Sequence, residues 1–155
     1  MKHSLAILFL LFGILSGCSS PATEGRRLLS QPIPPGYARL YVYRTATFVG
    51  GGLAPHLWID GIEKGVLQIN TVFAFDITPG THAITINGSP PGFPFPSSMV
   101  NVEAVDGRKV YYRYGAIVVG QETRSYRSRI KTTTLLEFGL YPVPPEEASA
   151  EVTGI

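Results

Sequence analysis

Three pairs of turn residues divide most of this chain into short alternating segments. Asp60-Gly61 and Asp106-Gly107 supply the positive φ angles of tight hairpin turns, and Pro79-Gly80 fits the central pair of a type II turn. The segments around these turns alternate apolar with polar residues, which is the period of a β-strand with one buried face. Long helical periodicity is absent. The sequence therefore predicts an all-β domain.

Eight segments have this strand pattern. We predict strands at 38–44, 56–60, 62–67, 71–77, 81–87, 99–105, 109–119 and 133–141. Short strands at regular spacing favour a single antiparallel β-sandwich of about seven or eight strands, with a squat barrel as the alternative. The 17 glycines, 13 prolines and low charged fraction of 15% fit many strands joined by turns. The length of 155 residues allows one such domain.

The N-terminus has the pattern of a bacterial lipoprotein signal peptide at residues 1–17. A short basic start precedes the apolar run Leu5–Leu15, which is too short to span a bilayer. Leu15-Ser16-Gly17-Cys18 then forms a lipoprotein cleavage box around the only cysteine. We expect Cys18 to be acylated, with palmitate among its chains, and to anchor the chain in a membrane. Ser19 favours the outer membrane, with the domain facing the periplasm.

Two flanking segments lack a strand pattern. Residues 18–36 are rich in proline and predict a flexible tether, whereas residues 142–155 combine prolines and acids and predict a disordered tail. The β-sandwich is therefore expected at 37–141. If the chain reverses at each connection, the long connections, at 45–55, 88–97 and 120–132, lie at the end opposite the tether. We expect that end to face away from the membrane.

Residue types that carry catalysis or bind metals are scarce. The mature chain keeps His56 and His82, and neither belongs to a cluster of metal-ligating residues. His82 follows a tight turn, and we expect it to be half-buried and bonded to the backbone near its hairpin. Asp76, Ser97 and Ser98 supply the other members of a hydrolytic triad, but no nucleophile elbow is present. We expect no enzyme activity, no cofactor, no metal and no small-molecule substrate.

Two groups of residues are candidates for an interaction surface. Phe48, Phe93 and Phe95 belong to long connections, where their rings form either an apolar contact patch or a lid over the open end of the sandwich. The second group is basic and surrounds a tyrosine: Arg124, Tyr126, Arg127, Arg129 and Lys131. It binds lipopolysaccharide phosphates, an anionic glycan or an acidic envelope protein, or it is a solvated charged loop or edge strand.

The overall charge is close to neutral. Removal of residues 1–17 takes away one lysine and no acid, so the formal net charge falls from +2 to +1. A generic nucleic-acid partner is excluded on this ground, because such proteins carry a strong basic excess. Any electrostatic role must therefore be local.

Several strand and turn motifs are similar to those of a known family. Ala38–Arg44 (ARLYVYR), Leu57–Gly61 (LWIDG) with Gly65, and Pro79–His82 (PGTH) resemble the lipoproteins of domain-of-unknown-function family 2846. The resemblance runs from Gly36 to Tyr141, and the Asp-Gly and Pro-Gly-x-His motifs are also similar to PEGA-type modules. It implies a PEGA-like β-sandwich and an envelope location. We expect a non-enzymatic accessory module of unknown partner or, alternatively, a module that binds peptidoglycan or lipopolysaccharide through the basic residues 124–131.

Overall fold

The computed structural model describes residues 21–47, 52–88, 97–126 and 129–155. In chain order the elements are α1 (Pro21–Leu29), β1 (Ala38–Arg44), β2 (His56–Ile59), β3 (Ile62–Val66), β4 (Thr71–Ile77), β5 (Gly80–Asn87), β6 (Ser98–Ala104), β7 (Lys109–Tyr126), β8 (Arg129–Pro142) and α2 (Pro145–Gly154). The strands form two four-stranded sheets. Sheet A has the order β4-β1-β7-β8, and sheet B has the order β3-β2-β5-β6. The predicted all-β sandwich is confirmed, and these two sheets do not close into a squat barrel.

Most strand pairs are antiparallel, with one exception in sheet A. β1 pairs with β4 in antiparallel fashion, but it pairs with β7 in parallel fashion over Arg39–Tyr43. The sequence gives no sign of this parallel pair, because a parallel neighbour leaves the alternation of β1 unchanged. As a result, β1 and β7 run towards the same end of the sandwich. We call it the Arg44 end, since β1 ends there at Arg44 and β4 begins there at Thr71.

The predicted turns at Asp60-Gly61 and Asp106-Gly107 are present, whereas Gly80 is the first residue of β5 and has a φ of 132°, away from the value near 80° of a type II turn. Asp60 has a φ of 51° and Gly61 a φ of 76°, so both central residues of this hairpin have the left-handed conformation of a type I′ turn. At the turn between β6 and β7, Gly107 has a φ of 69°, and the Arg108 amide donates to the Val105 carbonyl at 3.0 Å. Asp106 is not left-handed, and the predicted hairpin is wrong here, because this turn joins sheet B to sheet A. The short connections therefore lie where the sequence predicts them.

Strand alternation produces two cores. Leu40 and Val42 of β1 point into the sandwich, where they pack with residues of sheet B such as Leu57 and Ile84. Tyr41 and its alternating neighbours point to the opposite face of sheet A. That outer face is also buried, because α1 and α2 cover it. All seven residues of β1 are consequently buried.

The outer core is built from aromatic rings and small helical side chains. Tyr41 stacks on Tyr111 with ring centroids 4.6 Å apart. Tyr43 lies in the same cluster, together with Ala148 and Val152 of α2. Because Ala148 and Val152 are four residues apart, they share one face of the helix and pack on the tyrosines. A helix of ten residues is only marginally stable by itself in water, so α2 depends on this packing.

The two helices correct two predictions. The flexible tether expected over 18–36 is wrong where α1 forms, and the disordered tail expected over 142–155 is wrong where α2 forms. α1 is only nine residues long and lies among prolines, and α2 has a weak apolar period, so sequence analysis detected neither helix. Both helices depend on tertiary burial. Neither α1 nor α2 has the length and apolar character needed to cross a membrane.

α1 runs in the opposite direction to β1. Gly25 lies so close to β4 that an added Cβ would overlap the carbonyl oxygen of Val72, near the Arg44 end. Three and six residues later in the chain, the Leu28 and Gln31 carbonyls accept hydrogen bonds from the Arg39 guanidinium, near the start of β1. α1 therefore begins at the Arg44 end and finishes at the end with the tight turns.

Candidate interaction surface

β7 and β8 continue well beyond the sandwich as a two-stranded ribbon. β1 pairs with β7 only up to Arg113, whereas the β7–β8 ladder continues to the pair Tyr126 and Arg129. We define the ribbon as residues 117–126 and 129–137, and nearly every one of these residues with a described side chain is exposed. The sequence predicted a loop at 120–132 here. That prediction is wrong for the described part, because the two strands pair through it.

The ribbon has charged residues on both strands, which is why its sequence was interpreted as a loop. Thr123 and Thr132 are β-branched and lie directly opposite each other, with their hydroxyl oxygens 3.3 Å apart. Such cross-strand pairs stabilise a ribbon. Residue types that favour strands therefore continue on both sides of the tip, and they are the signal that would have extended the predicted strands.

The base of the ribbon exposes a group of apolar side chains: Ile117, Val118, Val119, Leu135 and Leu136. Val118 lies opposite Leu136 and is 65% exposed. The register shifts between Val118 and Gly120, and this β-bulge leaves Val119 as the extra residue. By strand alternation these side chains lie on both faces of the ribbon, and so many exposed apolar side chains in one segment indicate a contact surface. We call these five residues the apolar base.

A cleft lies beside the apolar base. It lies next to β6, has a volume of about 320 Å³ and is lined by Met99, Ile117 and Phe138, among others. Met99 is 67% exposed. The amide of Leu140 donates to the Ser98 hydroxyl at 3.3 Å and holds β6 against β8 below this cleft. The cleft therefore extends the apolar surface from the ribbon onto the sandwich.

The tip of the ribbon is basic on one face. Arg124 lies directly opposite Lys131, and Arg129 is two residues from Lys131 on the same strand. Opposed residues share a face, as do alternate residues of one strand, so these three side chains lie together. We call them the basic face. Arg124 is 82% exposed and bonds to Glu122 at 3.2 Å, whereas Arg129 and Lys131 have no ion-pair partner among the described residues.

The opposition of Arg124 and Lys131 has an energetic consequence. Like charges directly opposite each other destabilise a strand pair by roughly 0.2–1 kcal/mol. A bound anion removes this repulsion and gains charge-assisted hydrogen bonds from both side chains. The basic face is therefore suited to an anionic partner.

The other predicted surface residues are placed as follows. Phe48, Phe93, Phe95 and Arg127 lie outside the described residues, as does Cys18. The apolar patch and the acylated cysteine therefore stay predictions. Tyr126 ends β7 next to the basic face, opposite Arg129. Three of the four predicted basic residues are thus brought together, and the apolar base is the part that sequence analysis missed.

His82 bonds to groups of two nearby turns. His82 places Nδ1 2.6 Å from the Asp60 carboxylate and Nε2 2.8 Å from the Thr78 carbonyl. Because both ring nitrogens face acceptors, the protonated ring is favoured, and the pKa of His82 is raised, first by Asp60 and then by Thr78. The hydrogen bond from His82 in turn lowers the pKa of Asp60. The expectation that His82 bonds to the backbone near the preceding turn is confirmed, whereas the predicted hairpin at this turn is wrong, because β4 and β5 belong to different sheets.

Other polar residues are held by separate partners. Asp76 accepts from Arg39, and Ser98 accepts from the Leu140 amide, whereas His82 bonds to Asp60. These contacts do not assemble the triad that the sequence raised as a possibility. Among residues 21–47, 52–88, 97–126 and 129–155, no three His, Cys, Asp or Glu side chains are grouped to hold a metal ion.

A second cleft, of about 350 Å³, lies beside Arg113. The Arg113 guanidinium donates to the Tyr141 hydroxyl at 3.0 Å, lies 3.5 Å from Glu147 and forms an ion pair with Glu151. These partners already satisfy its charge. Arg113 therefore helps to hold α2 on sheet A through its ion pairs with that helix.

Comparisons of the chain with protein-family models, with curated proteins and with solved structures found no match. No relative contributes a ligand, a partner or a reaction. Function is therefore inferred from the residues and the geometry described above.

Proposed function

We propose that this chain is a lipid-anchored envelope lipoprotein that works as a non-enzymatic interaction module, with the ribbon as its contact surface. The observation that carries the proposal is the ribbon itself, which projects from a well-packed sandwich and exposes an apolar base. The cleavage box at Cys18 supports an acylated anchor, most simply in the outer membrane with the domain facing the periplasm. The resemblance to domain-of-unknown-function family 2846 and PEGA-type modules supports the same location.

The apolar base favours a protein partner. An isolated two-stranded ribbon is marginally stable in water, because it buries little apolar surface. A partner that covers Val118 and Leu136 and fills the cleft next to Met99 would supply the missing contacts. β8 is also the edge strand of sheet A, so a partner strand can add to its free side. An envelope protein with an exposed apolar strand fits both features.

The test is site-specific crosslinking of the full chain in living cells. A photoreactive amino acid replaces Leu136 in the apolar base, and a matched variant carries it at Val105, which is 56% exposed at the opposite end. We expect discrete crosslinked protein bands from position 136 that weaken when Val118 is changed to Thr. Equal bands from both positions, or none from position 136, would contradict the proposal.

A second candidate function is binding of an envelope polymer, either peptidoglycan or lipopolysaccharide. The observation that favours it is the basic face, in which Arg124 and Lys131 are opposed without a carboxylate between them. Co-sedimentation of the purified protein with sacculi or lipopolysaccharide tests it. We expect the Arg124→Gln, Lys131→Gln double variant to lose co-sedimentation. The matched Arg108→Gln, Lys109→Gln variant removes two exposed charges at the other end and should retain it.

A further inference from the structure

The membrane anchor and the ribbon leave the sandwich at the same end. α1 begins at the Arg44 end, because Gly25 lies against Val72 near the start of β4. β7 runs parallel to β1 and leaves sheet A at that end too. The sequence placed the basic residues away from the membrane, on the assumption that the tether enters β1 directly. α1 reverses the chain before β1, so an anchor at Cys18 lies on the ribbon side.

The lengths of the segments sharpen this arrangement. Pro21 is one helical turn before Gly25, which adds about 6 Å along α1. The three residues from Cys18 to Pro21 span about 10 Å at most. Beyond Arg113, which pairs with Tyr43, β7 continues for 13 residues, or about 40 Å of strand. β7 therefore extends farther beyond Tyr43 than the segment from Gly25 back to Cys18 can reach. If the strands of sheet A stand perpendicular to the membrane, the ribbon contacts the bilayer.

We propose that the basic face of the ribbon, Arg124, Arg129 and Lys131, binds anionic phospholipid headgroups of the membrane that holds the acylated Cys18. This inference rests on the proposed anchoring. Arginine offers phosphate a planar pair of donors, and lysine adds a compact charge. Glu122 is the one acid of the described tip, and it bonds to Arg124. An anionic lipid surface also attracts basic side chains that are held within a Debye length.

The charges at the two ends of the domain favour membrane contact through the ribbon end. The opposite end of the domain has mixed charge, because Asp60 and Asp106 lie there together with Arg108 and Lys109. An anionic surface therefore gains little from that end. The basic face and the short link from Cys18 to α1 are both at the Arg44 end of the domain. The ribbon therefore lies on the membrane, and its apolar base is exposed next to the membrane surface. A membrane protein or a second lipoprotein can reach it there.

The test uses the lipidated full chain reconstituted into phosphatidylcholine vesicles with or without phosphatidylglycerol. Ser125→Cys places a dye at the tip, and acylation leaves Cys18 without a competing thiol. A lipid with a quencher on its headgroup reports contact, and Arg108→Cys is the matched position at the other end. We expect strong quenching at position 125 in anionic vesicles only, and weaker quenching as salt is added.

Charge variants identify the residues responsible. Each basic side chain near an anionic surface strengthens binding about five-fold. The Arg124→Gln, Lys131→Gln variant should therefore lower the ratio of docked to free ribbon about 25-fold at low salt. The Arg108→Gln, Lys109→Gln control should leave this ratio unchanged.

Flotation of the vesicles distinguishes failure of the lipid contact from failure of the acyl anchor at Cys18. Protein that floats with vesicles but shows no quenching at position 125, or equal quenching in neutral vesicles, overturns the lipid contact and leaves the anchor intact. Insensitivity of the quenching to loss of Arg124 and Lys131 overturns it as well. Protein that does not float overturns the anchor, and the inference falls with it.

Discussion

Replacing the buried Arg39 with Met should release α1 from sheet A. The Arg39 side chain is 1% exposed, and its guanidinium donates to both carboxylate oxygens of Asp76 at 2.7 and 3.1 Å. It also donates to the carbonyls of Leu28, Gln31 and Pro32, at 2.5 to 3.0 Å. These carbonyls belong to the end of α1 and the segment after it. One side chain therefore joins the helix to the sheet.

The expected loss of stability follows from these contacts. Removal of one partner from a buried ion pair costs about 3–5 kcal/mol, because the other charge stays uncompensated. The Asp76 side chain is 24% exposed and regains some water, so we expect the lower figure, about 3 kcal/mol. For a domain of this size that loss lowers the Tm by about 10 °C.

Urea unfolding followed by circular dichroism measures the global loss. Limited trypsin digestion measures the local one, because Arg26 and Arg27 lie in α1 and become cleavable when the helix detaches. Arg108→Gln is the control, with an expected change within about 0.5 kcal/mol for an exposed side chain. A loss below about 1 kcal/mol, together with unchanged trypsin cleavage, would refute the reasoning.

Three further predictions follow from packing and protonation. Gly25→Ala should destabilise the domain by about 1–3 kcal/mol despite the better helix propensity of alanine, because its Cβ meets the Val72 carbonyl; Gly154→Ala has open space, and an equal loss there in urea unfolding would contradict the explanation. His82 has a raised pKa, so its contribution is complete below about pH 6.5 and is lost as pH rises through the raised pKa. The stability difference between wild type and His82→Gln should therefore shrink from about pH 5 to about pH 9, and a difference that grows would be decisive against the ion pair. Deletion of residues 145–155 removes the buried Ala148 and Val152 and should cost about 3 kcal/mol, with increased binding of a hydrophobic dye to the uncovered tyrosines; unchanged dye binding would show that α2 does not cover them.

The strands of the sandwich were predictable because their signals are local. Asp60 and Gly61 adopt the left-handed conformation that their residue types favour, and the alternation in β1 and β4 matches the bounds of both strands. His82 follows the same logic, since a polar ring beside a tight turn finds carbonyls nearby. Period and turn chemistry suffice for such features.

The helices and the ribbon required information that is not local. Among the described core residues, the only apolar residues of α2 that pack on the domain are Ala148 and Val152, and the helix is stabilised by their contacts with the tyrosines of sheet A. The basic cluster was visible as charge, but its shared face depends on the register of Arg124 with Lys131. The direction of α1 depends on where Gly25 meets β4. Each of these depends on packing between segments distant in sequence.

The docking of α1 underlies the proposal that an anchor at Cys18 lies on the same side as the ribbon. Hydrogen exchange of the backbone amides of residues 25–29 in the full chain tests it most directly. These amides have intrahelical partners, and a docked helix opens only with the part of the sheet that it covers. We predict protection close to that of β4. Exchange at the rate of an unstructured peptide would contradict it and restore a flexible tether.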